Sequence, residues 1–107
     1  MNTSAKANTN LNELPKWLVV TDSGVIITLS TPSELNGVKS DKIVMRSPTV
    51  REVRACQQAN PTDELAVDAM LFSSLATIGE NDLMGLTLKD YQRVKTGYFR
   101  MVEEDEV

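Results

Sequence analysis

The hydrophobic period of this chain changes once, at Pro48. Before it, β-branched and aromatic residues come in short runs that alternate with polar ones, the period of a half-buried strand. After it, apolar residues recur every three to four positions, the period of a helix packed on one side. A chain of 107 residues has room for a single core, so the two halves must share it. The expectation is an α+β domain: a small antiparallel β-meander of two to three strands followed by about three α-helices.

In the strand half, Trp17-Leu-Val-Val-Thr21 and Val25-Ile-Ile-Thr-Leu-Ser30 are separated by the turn tripeptide Asp22-Ser23-Gly24. Val25, Ile27 and Leu29 alternate with Ile26, Thr28 and Ser30. Pro32 is expected to stop this strand. Asn36-Gly37 marks a tight turn, and Lys42-Ile-Val-Met-Arg46 supplies a third strand. The link Thr31–Asp41 is open to being a small hairpin of its own.

In the helical half, Thr49-Val-Arg-Glu52 fits a capping box, with the Thr hydroxyl and the Glu carboxylate each accepting from an orphan amide. This predicts a first helix to about Ala59, stopped by Asn60-Pro61. Thr62 or Asp63 caps a second helix to about Ile78, with Gly79 as its stop and Glu80–Gly85 as a turn. Its apolar residues, from Leu65 through Met70 and Phe72 to Leu75, form an arc broad enough to need contact on more than one side. Thr87 opens a third helix whose seam is Leu88, Tyr91, Val94, Tyr98 and Met101, with Phe99 beside it. Gly97 inside that helix is expected to cost about 1 kcal/mol relative to Ala and to let the last turns fray.

Residues 1–16, rich in Asn, Ser, Thr and Ala, read as a disordered lead, 17–102 as one domain, and 103–107 as an acidic tail. The net charge of −4 sits in that tail, since Glu103, Glu104, Asp105 and Glu106 are its four acids and the body is near neutral. The polar start and the short apolar runs predict neither a secretory signal nor a membrane span.

Little here could carry chemistry. The chain has no histidine, so the usual general base, metal ligand and pH switch are missing. Its five glycines are isolated and form no phosphate loop. Cys56 has no partner for a disulfide and no histidine to activate it, and reads as a buried or half-buried inert thiol. No catalytic residue, metal site or cofactor is expected. Lys89, Arg93, Lys95 and Arg100 make the third helix basic, but residues 62–82 carry five acids and no base, so the two helices complement each other. Trp17 either anchors a partner or closes the sheet edge. Asp90 is expected to serve the helix N-terminus, with Tyr91 at the edge of the core.

The order of motifs is more specific than any one of them. Ile27-Thr-Leu-Ser-Thr-Pro32, Gly37, Ile43-Val-Met-Arg46-Ser-Pro48-Thr49, a helix, Leu83-Met-Gly-Leu86 and Lys89-Asp90-Tyr91 together resemble the Mu-like phage tail assembly chaperones, or tail assembly E-type proteins. The resemblance spans about residues 25–95. Ser47 stands where the family commonly has Glu, and Val-Arg-Glu52 replaces the commoner small-Gly-Asp.

The resemblance implies a non-catalytic assembly factor in the host cytoplasm, absent from the mature virion. Such a factor binds and solubilises the tape measure protein and helps recruit tail tube subunits. It also implies that a programmed frameshift adds a C-terminal extension. Neither nucleic acid nor membrane is an expected partner, and self-association is left open. Met70, Phe72, Met84, Tyr98, Phe99 and Met101 are the candidate contact residues, with Met84 and Phe99 the strongest, since methionine suits a surface meeting varied partners. The alternative is a small prophage-encoded DNA-binding regulator using residues 62–102.

Overall fold

The computed structural model describes residues 14–103. The expected lead over 1–16 and acidic tail over 103–107 therefore fall almost wholly outside the described residues. Three strands, β1 (Leu18–Val20), β2 (Gly24–Leu35) and β3 (Val38–Arg46), precede four helices, α1 (Val50–Ala59), α2 (Glu64–Ala76), α3 (Glu80–Met84) and α4 (Leu88–Val102). The sheet is antiparallel in the order β1-β2-β3. This is the α+β meander that the change of period implies.

The period-two pattern sets the faces of the sheet. Leu18, Ile27 and Ile43 stand opposite one another across the three strands and are buried. Val19, Ile26 and Val44 form the neighbouring row on the other face, with Val19 and Val44 exposed. The helices cover only the first face. α4 packs on β1 and β2, while α2 packs on β3, α1 and α3. The rings of Tyr91 and Tyr98 on α4 meet Phe72 of α2 at centroid distances of 6.0 and 5.3 Å.

Pro32 does not end β2. The strand continues to Leu35 because the pairing register breaks between Thr28 and Ser33, and a bulge is where a residue without an N–H is tolerated. The third strand is correspondingly longer than Lys42–Arg46. Thr31–Asp41 is the outer half of the same hairpin. Leu35 pairs with Val38 across Asn36 and Gly37, whose φ values of 54° and 83° are those that the primed two-residue turn demands.

Asp63 caps α2 by accepting from Ala66 N–H at 3.1 Å. Two other helix boundaries differ from expectation. α2 ends at Ala76 rather than about Ile78, and the residue that stops it is Thr77, in the left-handed conformation (φ 56°), rather than Gly79. The Thr77 N–H donates to the Ser73 carbonyl, and the Ser73 hydroxyl donates to the Ile78 carbonyl at 2.5 Å, so local hydrogen bonds hold a conformation that a β-branched residue rarely adopts. Gly79 instead precedes α3, the single helical turn found inside the expected Glu80–Gly85 turn. Gly97 does not fray α4, which continues to Val102. A Cβ at this position would lie 2.8 Å from Ile27 Cδ1, so its absence lets the helix lie closely on the sheet.

The capping box is present in full. Thr49 Oγ1 accepts from Glu52 N–H at 3.2 Å, and Glu52 Oε1 accepts from Thr49 N–H at 2.9 Å. Arg46, at the end of β3, adds two donors to the same carboxylate at 3.0 and 2.5 Å. The Arg46 hydrogen bonds, then the Thr49 amide, lower the Glu52 carboxyl from 4.5 to about 2. A depressed folded pKa contributes stability that is present above the unfolded value and is lost as pH falls through the folded one. Glu52→Gln is therefore expected to shrink the loss of stability between about pH 4.5 and 2, read by urea denaturation across that window.

Candidate functional site

Among the described residues, two of the clefts on the helical side are bounded by several large apolar side chains in contact with water. The first lies between the start of α2, the α3 turn and the start of α4. Leu65, Leu83, Met84, Leu86, Leu88 and Tyr91 enclose about 290 Å³. Leu83 and Leu86 form its buried floor, whereas Leu65 (72% exposed), Leu88 (72%) and Met84 (56%) stand on its rim. The second cleft, about 270 Å³, lies where α1 begins and α4 ends. Pro48, Val50, Val53, Tyr98 and Val102 line it, with Arg54 at its edge. Phe99 (59% exposed) sets its ring 5.6 Å from that of Tyr98.

Exposed apolar atoms are ordinary on protein surfaces, but clusters of whole side chains are not. Val50, Leu65 and Leu88 share a further property: each lies at the first or second position of its helix. First turns usually carry polar or acidic residues that complement the helix dipole. Apolar residues there are poorly covered by their own helix, and among the described residues no neighbouring element covers them.

On α4, next in sequence to the cleft residue Tyr91, one buried carboxylate fixes how the helix meets the sheet. Asp90 is 1% exposed. Its Oδ1 accepts from the Ser30 amide at 2.8 Å and its Oδ2 from the Thr31 amide at 3.3 Å, while Arg93 Nε lies 4.0 Å away. Burial alone would raise this carboxyl. The Ser30 and Thr31 hydrogen bonds and the Arg93 charge outweigh it and hold the group below the usual carboxylate range. Arg93 also donates to the Thr28 carbonyl at 2.8 Å and lies 5.0 Å from the Trp17 ring centroid. Trp17 accordingly closes the sheet edge, half-buried against the core. Asn36 ties the hairpin tip to the helices, its amide donating to Asp82 and its side chain to the Thr77 carbonyl, both at 2.8 Å. Cys56 is buried, and burial, then the charges of Glu52 and Glu80, push its thiol upward.

A family model described as phage tail assembly chaperone proteins, E, or 41 or 14, matches residues 26–103. The chain belongs to this family. The match covers the sheet from β2 onward and all four helices, and so includes both clefts. Comparison with curated proteins and with solved structures gives no match. The family assignment favours an assembly role over the DNA-binding regulator. Within the described residues of the chaperone, no helix is long and apolar enough to cross a membrane.

The six contact candidates fall in different places. Met84 and Phe99 are exposed; Met84 lines the first cleft, and Phe99 stacks edge-on against Tyr98 without lining the second. Tyr98 lines the second cleft and is half-buried, as are Met70 and Met101, which pack against the core. Phe72 lies in the core between the rings of Tyr91 and Tyr98, and offers a partner no surface. The motif residues mainly build the scaffold: Arg46, Pro48, Thr49 and Glu52 shape the start of α1, Pro32 and Gly37 shape the hairpin, and Asp90 secures α4.

Proposed function

We propose that this chaperone binds the tape measure protein, keeps it soluble, and helps bring tail tube subunits to it. It acts in the host cytoplasm without catalysis and is left out of the mature virion. The observation that carries this reading is the pair of water-exposed apolar clefts on a domain whose family assembles phage tails. A long apolar helical partner is an aggregation hazard in water. A small domain with uncovered apolar side chains can lay them against such a helix by groove docking. Burial at about 25 cal/mol per Å² gives the contact its driving force, and the partner's own burial adds to it.

The test is co-expression with the cognate tape measure protein, followed by fractionation. Most of the tape measure protein is expected in the supernatant when the chaperone is present and in the pellet when it is absent. Equal precipitation in both cases rejects the proposal. Addition of tube protein to the soluble pair, with capture through a tag on the chaperone, tests recruitment separately.

A further inference from the structure

We propose that the cleft between α2, α3 and α4 receives an amphipathic helix whose apolar seam is flanked by lysine and arginine. This rests on the reading that the chaperone covers apolar helices, and adds which surface does so and what chemistry it selects. At about 290 Å³ the cleft is at the small end for a cofactor or metabolite site. Its lining is almost entirely aliphatic, which suits one or two large side chains projecting from a docked helix.

The charge around the cleft supplies the selection. Leu65 of the cleft lining belongs to the segment 62–82, which holds Asp63, Glu64, Asp68, Glu80 and Asp82 and no base; Glu64 adjoins Leu65, and Asp82 adjoins the lining residue Leu83. Lys89 is the one base in the adjoining segment 83–91. Among the described residues, Glu64 and Glu80 make no ion pair, so their charge is left for a partner. The second cleft is mixed in charge, since Arg54 borders it and Arg51 lies one turn earlier on the same helix, while Glu52 shares that turn and Glu103 follows the lining residue Val102. A basic-flanked helix is drawn to the first cleft in preference to the second. Complementary charge of this kind sets partner choice and orientation more than raw affinity.

The probes are two synthetic helices with the same leucine seam, one flanked by lysine and one by glutamate, titrated against the full chain by fluorescence anisotropy. The lysine-flanked helix is expected to bind about tenfold more tightly at low salt, with the gap closing at about 0.5 M salt as screening shortens the reach of the acids. Leu88→Glu is expected to weaken that binding at least about tenfold, as the removal of a central apolar contact does. Val44→Glu, on the uncovered sheet face, leaves it unchanged; thermal melts of both variants confirm the fold. Equal binding of the two helices overturns the inference, as does binding lost in Val50→Glu but retained in Leu88→Glu. Co-expression separates this from the broader reading: a tape measure protein kept soluble equally by wild type and Leu88→Glu removes the cleft but not the chaperone.

Discussion

Asp90→Ala is expected to destabilise the chaperone by about 3 kcal/mol, one of the largest effects available to a single substitution in this protein. The alanine removes the acceptor for two amides, Ser30 and Thr31, at the bulge where β2 leaves its pairing with β3. Neither amide gains a replacement from the sheet, because the bulge interrupts the ladder on one side and β1 pairs only as far as Ile27 on the other. Ser30 and Thr31 are exposed residues, so the loss is that of hydrogen bonds to a charged, buried acceptor, each contributing about 1.5–3 kcal/mol at most. In a domain of this size the loss corresponds to a fall in Tm of roughly 10–20 °C. Asp90→Asn keeps one acceptor oxygen but loses the charge that Arg93 complements, and is expected to cost about half as much. Chemical denaturation ranks the variants, and hydrogen exchange at the Ser30 amide reports whether the bond has gone. Native-like protection there in Asp90→Ala would contradict the assignment. The sign with pH is also fixed. Because the folded carboxyl is held below its ordinary value of 3.8, its contribution is present above that value and disappears on further acidification.

Asp90 also explains why the sequence revealed the elements better than their contacts. Periodicity reports apolar residues, so it selected Leu88, Tyr91, Val94, Tyr98 and Met101 as the buried seam of α4. The line buried most deeply is Asp90, Val94 and Gly97, of which only Val94 is a large apolar residue. The other two are buried for reasons that hydropathy does not record: a carboxylate bound to strand amides and a glycine that allows close approach. Leu88, counted in the seam, lies outside it. The caps were legible because side-chain chemistry and position coincide at Thr49, Asp63 and Thr87. Pro32 misled because a bulge satisfies its missing donor, and a bulge leaves no local signature. The exposed cleft residues carry a readable signal, apolar side chains in the first turns of helices, but only the fold shows that no other described residue covers them.

Gly24→Ala is expected to cost at least about 3 kcal/mol, and to reduce soluble yield, through overpacking that cannot relax. Gly24 opens β2 opposite Arg46, the last residue of β3. A Cβ built there lies 1.9 Å from the Met45 carbonyl oxygen and 2.9 Å from Arg46 Cα. Both obstacles are backbone, so no rotamer change removes the collision and the strands must separate. Separation also pulls on the turn before it, where Thr21 Oγ1 accepts from Gly24 N–H at 3.0 Å and Ser47 N–H donates to the Ser23 carbonyl at 2.8 Å. Gly97→Ala is the matched comparison. Its Cβ would also be crowded, but by Ile27 Cδ1 and Cγ1, side-chain atoms that can shift. Alanine in a helix interior regains about 1 kcal/mol relative to glycine, offsetting part of the collision. The two glycine variants should therefore separate clearly in urea denaturation, Gly24→Ala far below wild type and Gly97→Ala within about 2 kcal/mol of it. Similar stabilities for the two would mean that the β2–β3 strands can part without loss, against the close backbone approach that Gly24 permits.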